Sequence, residues 1–358
     1  MKILEREITT VDYAANQTRT VPLPRNYCYR KINLTLIADV YREAGATPGA
    51  GGAMDSAPAQ LVRNIVIRAN GRDVIKNYDF ETLHRLNQIA HGVRPHINAD
   101  GWANDTVILV GDKIVISVSA CIDFEMWRAI RPIDTLLDSA SLATLEMIVT
   151  FGAPNDIMTP GYDPAGVGVT VADAKLFISS VESVGVPAGT PFMTNKEYMI
   201  RSQVTATSSR HQIQLPVSNL YRWLILKTHS DGVNTCGILP FSLTAQNTII
   251  LQAGTEVYKY RIAGCLGNDN RMDYGIEVPE LLTQAAAAPI DHRLTEYALE
   301  GYYVLEFVKD GRLTECLDTA RLSQLELVLD VVLVGTTRDF IDVYPCELIR
   351  PPEVVKAA

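Results

Sequence analysis

The sequence is short of most features that announce chemistry. It holds six cysteines in 358 residues, Cys28, Cys121, Cys236, Cys265, Cys316 and Cys346, and no two of them form a C-x-x-C pair. That scatter excludes a disulfide framework and zinc-finger spacing, and it reads as free thiols in a reducing cytoplasm. The six histidines, His84, His91, His96, His211, His229 and His292, contain no H-x-H. There is no G-x-S-x-G elbow, P-loop, G-x-G-x-x-G or H-E-x-x-H either. The net charge of −9 leaves no broad basic field, so sequence-specific nucleic-acid binding is not expected. No apolar run approaches the ~20 residues that span a bilayer, and the best candidate, Leu325–Val334, is interrupted by Asp330. The opening MKILEREITT lacks the apolar core of a signal peptide, which predicts synthesis in the cytoplasm.

What the chain does have is an internal echo. Leu23-Pro24 followed by Tyr29-Arg30 returns as Leu215-Pro216 and Tyr221-Arg222, an offset of 192. Asn64, Gly71, Asp73 and Val74 return as Asn247, Gly254, Glu256 and Val257, an offset of 183. The block Leu137–Glu146 returns as Leu317–Glu326, an offset of 180. Three echoes in one order indicate duplication of a domain of roughly 180 residues. The first drop in offset falls where the Gly/Ala/Pro-rich Ala44–Ala59 lies, an insertion carried mainly by the first copy. The domains are therefore expected at 1–188 and 189–358.

The periodicity within each copy is that of strands. Ile114, Ile116, Val118, Ala120, Ile122 and Phe124 alternate with wetter residues, as do Leu145, Met147, Val149 and Phe151, and Leu325, Leu327, Leu329, Val331 and Leu333. Further strands are predicted at Arg30–Asp39, Arg63–Ala69, Asp105–Val110, Lys175–Val181, Tyr198–Ala206, Tyr221–Thr228, Thr248–Gln252 and Tyr303–Val308. Helical crossovers are missing, so a parallel α/β fold is excluded. One helix is predicted over Asp79–His91, capped by Asp79 and stopped by Gly92, with shorter turns at Ile133–Leu137 and Pro279–Gln284. The expected fold class is all-β: two tandem eight-stranded antiparallel jelly rolls, each with its own core.

Few residues invite a chemical role. His84 and His91 share a face of the predicted helix, a metal pair at best and a partly buried helix edge by default. Asp123/Glu125 and Glu277/Glu280 are close carboxylates of the kind glycosidases use. The clusters Asn98, Asp100, Asn104, Asp105 and Asn268, Asp269, Asn270, Asp273 are oxygen-rich, as calcium loops are, but ordinary turns use the same residues. Tyr27, Tyr29, Tyr221, Trp223, Tyr258 and Tyr260 sit at strand positions and are expected in cores or interfaces. No catalytic, cofactor-binding or metal-binding residue is assigned, and no enzyme activity is expected.

The segments NQTRTVPLPRNYCYRKINLTL and VRNIVIRANGRDVIKNYDFETLHRLNQ, with the later DGRLTECLDT, resemble the double jelly-roll major capsid proteins of tailless icosahedral double-stranded DNA viruses, mostly phages with an internal membrane. The resemblance implies a homotrimer whose six sandwiches form a pseudo-hexameric capsomer. It further implies neighbouring capsomers and penton, minor capsid and inner-membrane proteins as partners, with the virion capsid as location. The alternative is a secreted or surface two-domain β-sandwich protein that binds or acts on carbohydrate. A bicupin enzyme would need the missing H-x-H.

Overall fold

The computed structural model describes residues 2–42, 57–98, 113–157, 169–187, 190–231, 238–240, 247–275, 299, 301–333 and 339–350. Among them, strands form two sandwiches of the same topology. In the first, Lys2–Asp12, Val169–Val184, Cys28–Arg42 and Lys113–Asp123 lie side by side, all antiparallel. The facing sheet runs Asp73–Tyr78, Val62–Ala69, Leu145–Phe151, Thr18–Pro22. In the second, Ile200–Val204, Asp339–Ile349, Leu220–Asp231 and Tyr302–Glu306 face Ser208–Leu215, Leu325–Val331, Thr248–Ala253 and Glu256–Ile262. Successive strands mostly alternate between the two sheets, which is the jelly-roll winding. Period-two burial drives it: Ile116, Val118, Ala120 and Ile122 are buried while their neighbours are not.

The predicted helix forms over Phe80–His91. Asp79 caps it, accepting from the Thr82 backbone N–H at 2.6 Å and the Thr82 hydroxyl at 2.8 Å. Gly92 ends it with φ 72°, a left-handed turn that suits glycine. A second helix, Ala263–Tyr274, overturns a sequence expectation, because Asn268, Asp269, Asn270 and Asp273 lie on it and not in a turn. Its Gly- and Asn-rich sequence has weak helix propensity, and Ile262 offers no side-chain cap. Packing overrides propensity here: Ala263, Leu266, Asn270 and Tyr274 form one buried stripe. The helix agrees with the repeat offset of 183, which carries Phe80 onto Ala263.

Smaller differences follow the same logic. Ile133–Leu137 reduces to one 3-10 turn, Pro132–Thr135. Tyr198–Ala206 yields Ile200–Val204, preceded by a separate strand Thr194–Glu197. Asp105–Val110, Pro279–Gln284, Glu277, Glu280, Asp100, Asn104, Asp105, His292, Cys236 and most of Ala44–Ala59 lie outside the described residues.

The short strand Thr194–Glu197 joins the sandwiches. It pairs antiparallel with Asp339–Ile349, and Glu197 pairs in parallel with Lys76, so one eleven-stranded sheet runs through both halves. The cores are accordingly not independent, contrary to expectation. The second sandwich has its own cluster around Leu224, Leu226, Leu251 and Leu327. The first core continues across the joint to Trp223, Ile225, Tyr344 and Cys346 of the second.

Candidate assembly site at the joint between the sandwiches

The sequence echoes are matched devices. The Tyr29 hydroxyl donates to the Pro24 carbonyl at 2.7 Å, and the Tyr221 hydroxyl donates to Pro216 at 2.6 Å. Both phenols are fully buried, so each needs that partner. Leu137-Asp138 and Leu317-Asp318 pair with Tyr29 and Tyr221 in the same register. The Asn87 side-chain amide donates to the Cys121 carbonyl at 2.8 Å and accepts from the Cys121 N–H at 2.7 Å. Asn270 does the same to Val304, at 3.0 and 2.9 Å. Each helix is thus pinned to a strand of its own sandwich.

The other side of the first helix meets the second sandwich through buried charge. The Lys227 ammonium donates to Thr82 Oγ1 at 2.9 Å and lies 3.3 Å from Glu81 and 3.5 Å from Asp79. The Tyr344 hydroxyl donates to Asp79 at 2.9 Å. Beside them, Lys76 pairs with Glu197 at 2.9 Å, and the Tyr78 hydroxyl also donates to Glu197. Burial alone would push the Asp79 and Glu197 carboxyls up, but Lys227 and Thr82 on one, and Lys76 and Tyr78 on the other, hold both below their ordinary values. Burial works against the Lys227 ammonium, and the Asp79 and Glu81 carboxylates more than offset it, holding it well above its ordinary value. Such buried pairs add little net stability over apolar packing, but they are intolerant of misalignment, so they fix how the halves meet.

The same elements of the second copy stand open. The edge strand Asp73–Tyr78 buries Lys76 completely, whereas its counterpart Glu256–Ile262 exposes Val257 at 52%, Tyr260 at 60% and Ile262 at 40%. All but the last residue of the first helix is buried, and only four residues of the second are. The sheet that receives the first helix buries Leu220–His229 on both faces, while the matching sheet of the first sandwich leaves Ile37, Val115 and Phe177 exposed on its outer side.

Among the described residues, those nominated from sequence do not converge on a catalytic centre. His84 is buried with Nδ1 at 2.8 Å from the Ser119 carbonyl, whereas His91 Nε2 lies 2.9 Å from Asp123, farther along the same strand. Glu125 is taken by Arg30 at 2.8 Å. Asp269 pairs with Arg261, Asp273 with Lys309, and Asn270 with backbone, so these oxygens do not gather round a cation. Asn98 lies in the strand Ile97–Asn98. Tyr29, Tyr221 and Trp223 are core residues, Tyr27 lies under Arg6, and Tyr258 and Tyr260 lie on the open edge. Among the described residues, no helix is long and apolar enough to cross a membrane. Sequence reasoning missed the joint charges Lys76, Glu81, Glu197 and Lys227, because a strand lysine looks the same whether it faces water or another domain.

No family model and no curated protein matches the sequence. Solved structures do. The chain is similar to the crystal structure of the STIV MCP, with TM-score 0.67 and 14% identity over 98% of each chain. It is similar to the major capsid protein P2 of bacteriophage PM2, with TM-score 0.56, 13% identity, and 97% and 98% coverage. The PBCV-1 virus capsid gives TM-score 0.55 at 12% identity, covering 97% of this chain and 94% of that one. Likeness along the full length of both sandwiches, and not of one alone, means that the chain has the double jelly-roll fold seen in these viral capsid proteins.

Proposed function

We propose that this chain is a structural subunit of a viral shell, a major capsid protein. Three copies form a pseudo-hexameric capsomer, and capsomers tile an icosahedral virion. Its boundary between jelly rolls falls at 188/189, and its partners are neighbouring capsomers with penton, minor capsid and inner-membrane proteins. It is made in the host cytoplasm and resides in the virion. The observation that carries this reading is the unused copy of the joint.

Inside the chain, edge strand and helix of sandwich one dock on the outer sheet of sandwich two. The duplicated edge and helix of sandwich two find no such sheet among the described residues of their own chain. A second copy supplies one, and repeated head-to-tail docking of this heterologous kind closes into a ring when the rotation permits. The repeat assigns the contact residues. Glu182 and Glu347 pair with Tyr29 and Tyr221, and both sheets slip register at the next position. Glu5 opposite Val181 therefore matches Glu197 opposite Cys346. At the offset of 183, Lys76 becomes Lys259, Tyr78 becomes Arg261 and Asp79 becomes Ile262. Lys227 becomes Thr35, and Asp342 becomes Phe177.

The new surface is complementary in kind. Glu5 of one copy would face Lys259 and Arg261 of the next, in place of Glu197 facing Lys76 and Tyr78. Ile262 would meet Thr35 where Asp79 meets Lys227, with exposed Phe177 beside it on the neighbouring strand where Asp342 stands, an apolar contact replacing an ionic one. Partial burial, Lys309 and Arg261 already push the Lys259 ammonium down, so an arriving carboxylate relieves it. Native mass measurement with negative-stain microscopy tests the reading: particles of three times 39.4 kDa with a hexagonal outline are expected. Lys259→Glu or Glu5→Lys should give monomers, and the two together should restore trimers. A monodisperse monomer at high concentration would sink the proposal and bring the carbohydrate-binding alternative forward.

A further inference from the structure

We propose that His91, Cys121 and Asp123 form a site for one borderline-soft divalent cation of the zinc class, at the rim of the joint. Cys121 and Asp123 are two apart on one strand and so project from the same face. His91, in the last turn of the first helix, hangs over them. Cys121 Sγ lies 3.7 Å from His91 Nε2 and 3.8 Å from Asp123 Oδ2, and the last two atoms are 2.9 Å apart. A tetrahedral ion with ordinary zinc–ligand lengths separates such pairs by about 3.6, 3.6 and 3.4 Å. The sulfur distances already fit, and the His–Asp contact must open by a few tenths of an ångström. A cavity of about 30 Å³ bordered by Cys121, Asp123 and Trp127 leaves room for a water as fourth ligand.

The charges balance. A thiolate and a carboxylate neutralise a divalent ion, so no net charge is left in a half-buried place. Loading breaks the Cys121 S–H bond, makes a sulfur–metal bond and releases that proton to solvent. The neutral imidazole keeps its proton by moving it from Nε2 to Nδ1. Lys31, across the strand from Asp123, opposes the cation, and Glu125 is silenced by Arg30, so binding rests on the thiolate. A redox role fits less well, because burial and the neighbouring Asp123 hold this thiol protonated and unreactive.

The duplicated copy isolates what the cysteine adds. At the offset of 183, His91, Cys121 and Asp123 become Tyr274, Val304 and Glu306. Tyr274 donates to Glu306 at 2.8 Å, just as His91 meets Asp123. The structural link between helix end and strand thus exists in both copies. A valine fills the cysteine position in one of them, so packing does not require sulfur there. Histidine, thiol and carboxylate together supply a ligand set that the second copy lacks.

The test uses full-length protein stripped with a chelator and titrated with cobalt(II), then zinc(II), as the bare ions. One ion per chain is expected, with a thiolate-to-cobalt charge-transfer absorption that zinc bleaches. Cys121→Val, the residue the second copy carries, should fold normally, lose the absorption and bind at least about 100-fold more weakly. Zinc should raise the melting temperature of the wild type and not of Cys121→Val. Cys265→Ser, which removes an exposed thiol, should change nothing. A wild type without the absorption at saturating cobalt overturns the proposal. So does an absorption that survives Cys121→Val and disappears in Cys265→Ser.

Discussion

The two helices occupy equivalent places in two copies of one fold, yet one is an interior element and the other a surface one. Phe80–His91 is clamped along its length between its own strand and the neighbouring sandwich. Ala263–Tyr274 buries one stripe and meets the other sandwich at its C-terminal end, where Arg128 donates to the Asp273 carbonyl at 3.1 Å and lies over Tyr274. Their inner faces carry the same asparagine in the same paired hydrogen bonds. Their outer faces have diverged: Asp79, Glu81 and Thr82 against Lys227 on one, Ile262, Gly264 and Cys265 on the other. The inner face was constrained by the fold, which both copies share. The outer face answers to whatever lies beyond, and for the first copy that is a sheet of the same chain.

The sharpest way to break this comparison is to remove the paired lysines. Lys76→Ala leaves the buried Glu197 carboxylate without its cation, which typically costs about 3–5 kcal/mol. Lys259→Ala removes a partly buried side chain that lies over Phe307 and feels Glu306 without a salt bridge to it among the described residues. It should change the stability of the isolated chain by no more than about 0.5 kcal/mol. Chemical denaturation of both variants as dilute monomers decides it. Equal losses would mean that the two edges are not in different environments.

Acid should also tell the copies apart. His84 occupies the position that Gly267 holds in the second copy. Burial, with help from Arg85, pushes its imidazole down to about 3. The native state then refuses a proton that the unfolded state accepts near pH 6.5, so stability is complete above that value and falls as pH drops towards 3. By pH 4 the loss is on the order of 3 kcal/mol. Amide exchange between pH 7 and 4 should show the first helix losing protection with an extra pH dependence that the second helix lacks. His84→Gln should flatten that dependence, and an unchanged slope in the variant argues against the assignment.

Much of the fold was legible because burial writes itself into the chain as period two, and duplication wrote it twice. Tyr29 and Tyr221 were visible as echoes before their Pro24 and Pro216 partners were known. Ala263–Tyr274 was hidden because Gly264, Gly267 and the Asn/Asp run speak locally for a turn, although the repeat offset argued otherwise. The joint was hidden for a different reason. Lys76, Glu197 and Lys227 look like solvated strand residues, and only the meeting of segments more than a hundred residues apart makes them interior. The His91, Cys121 and Asp123 cluster escaped likewise, since its members come from a helix and a strand with no fixed spacing between them.

The asparagine pair sharpens the comparison from its conserved side. Asn87→Ala and Asn270→Ala each strip a backbone N–H and a carbonyl of the side-chain amide that pairs with them, at a cost of roughly 2–3 kcal/mol. The two losses should agree within about 0.5 kcal/mol, because the two contacts share their geometry even though their surroundings differ. A much larger loss at Asn87 would mean that the helix transmits the damage into the joint, making the inner face part of the assembly surface.

The smallest effect is the most symmetric. Tyr29→Phe and Tyr221→Phe each delete one hydroxyl that donates to a proline carbonyl five residues earlier, and each should cost about 1 kcal/mol. Tyr221 has a second acceptor within reach, Glu347 at 3.5 Å, whose charge with burial pushes its phenol far up. Glu182 plays that part for Tyr29 more weakly, because Arg6 claims it with three hydrogen bonds of 2.9–3.1 Å. The losses should therefore be similar, with any excess at Tyr221. If Tyr29→Phe proved clearly the costlier, the two corners would be alike in shape but not in what holds them.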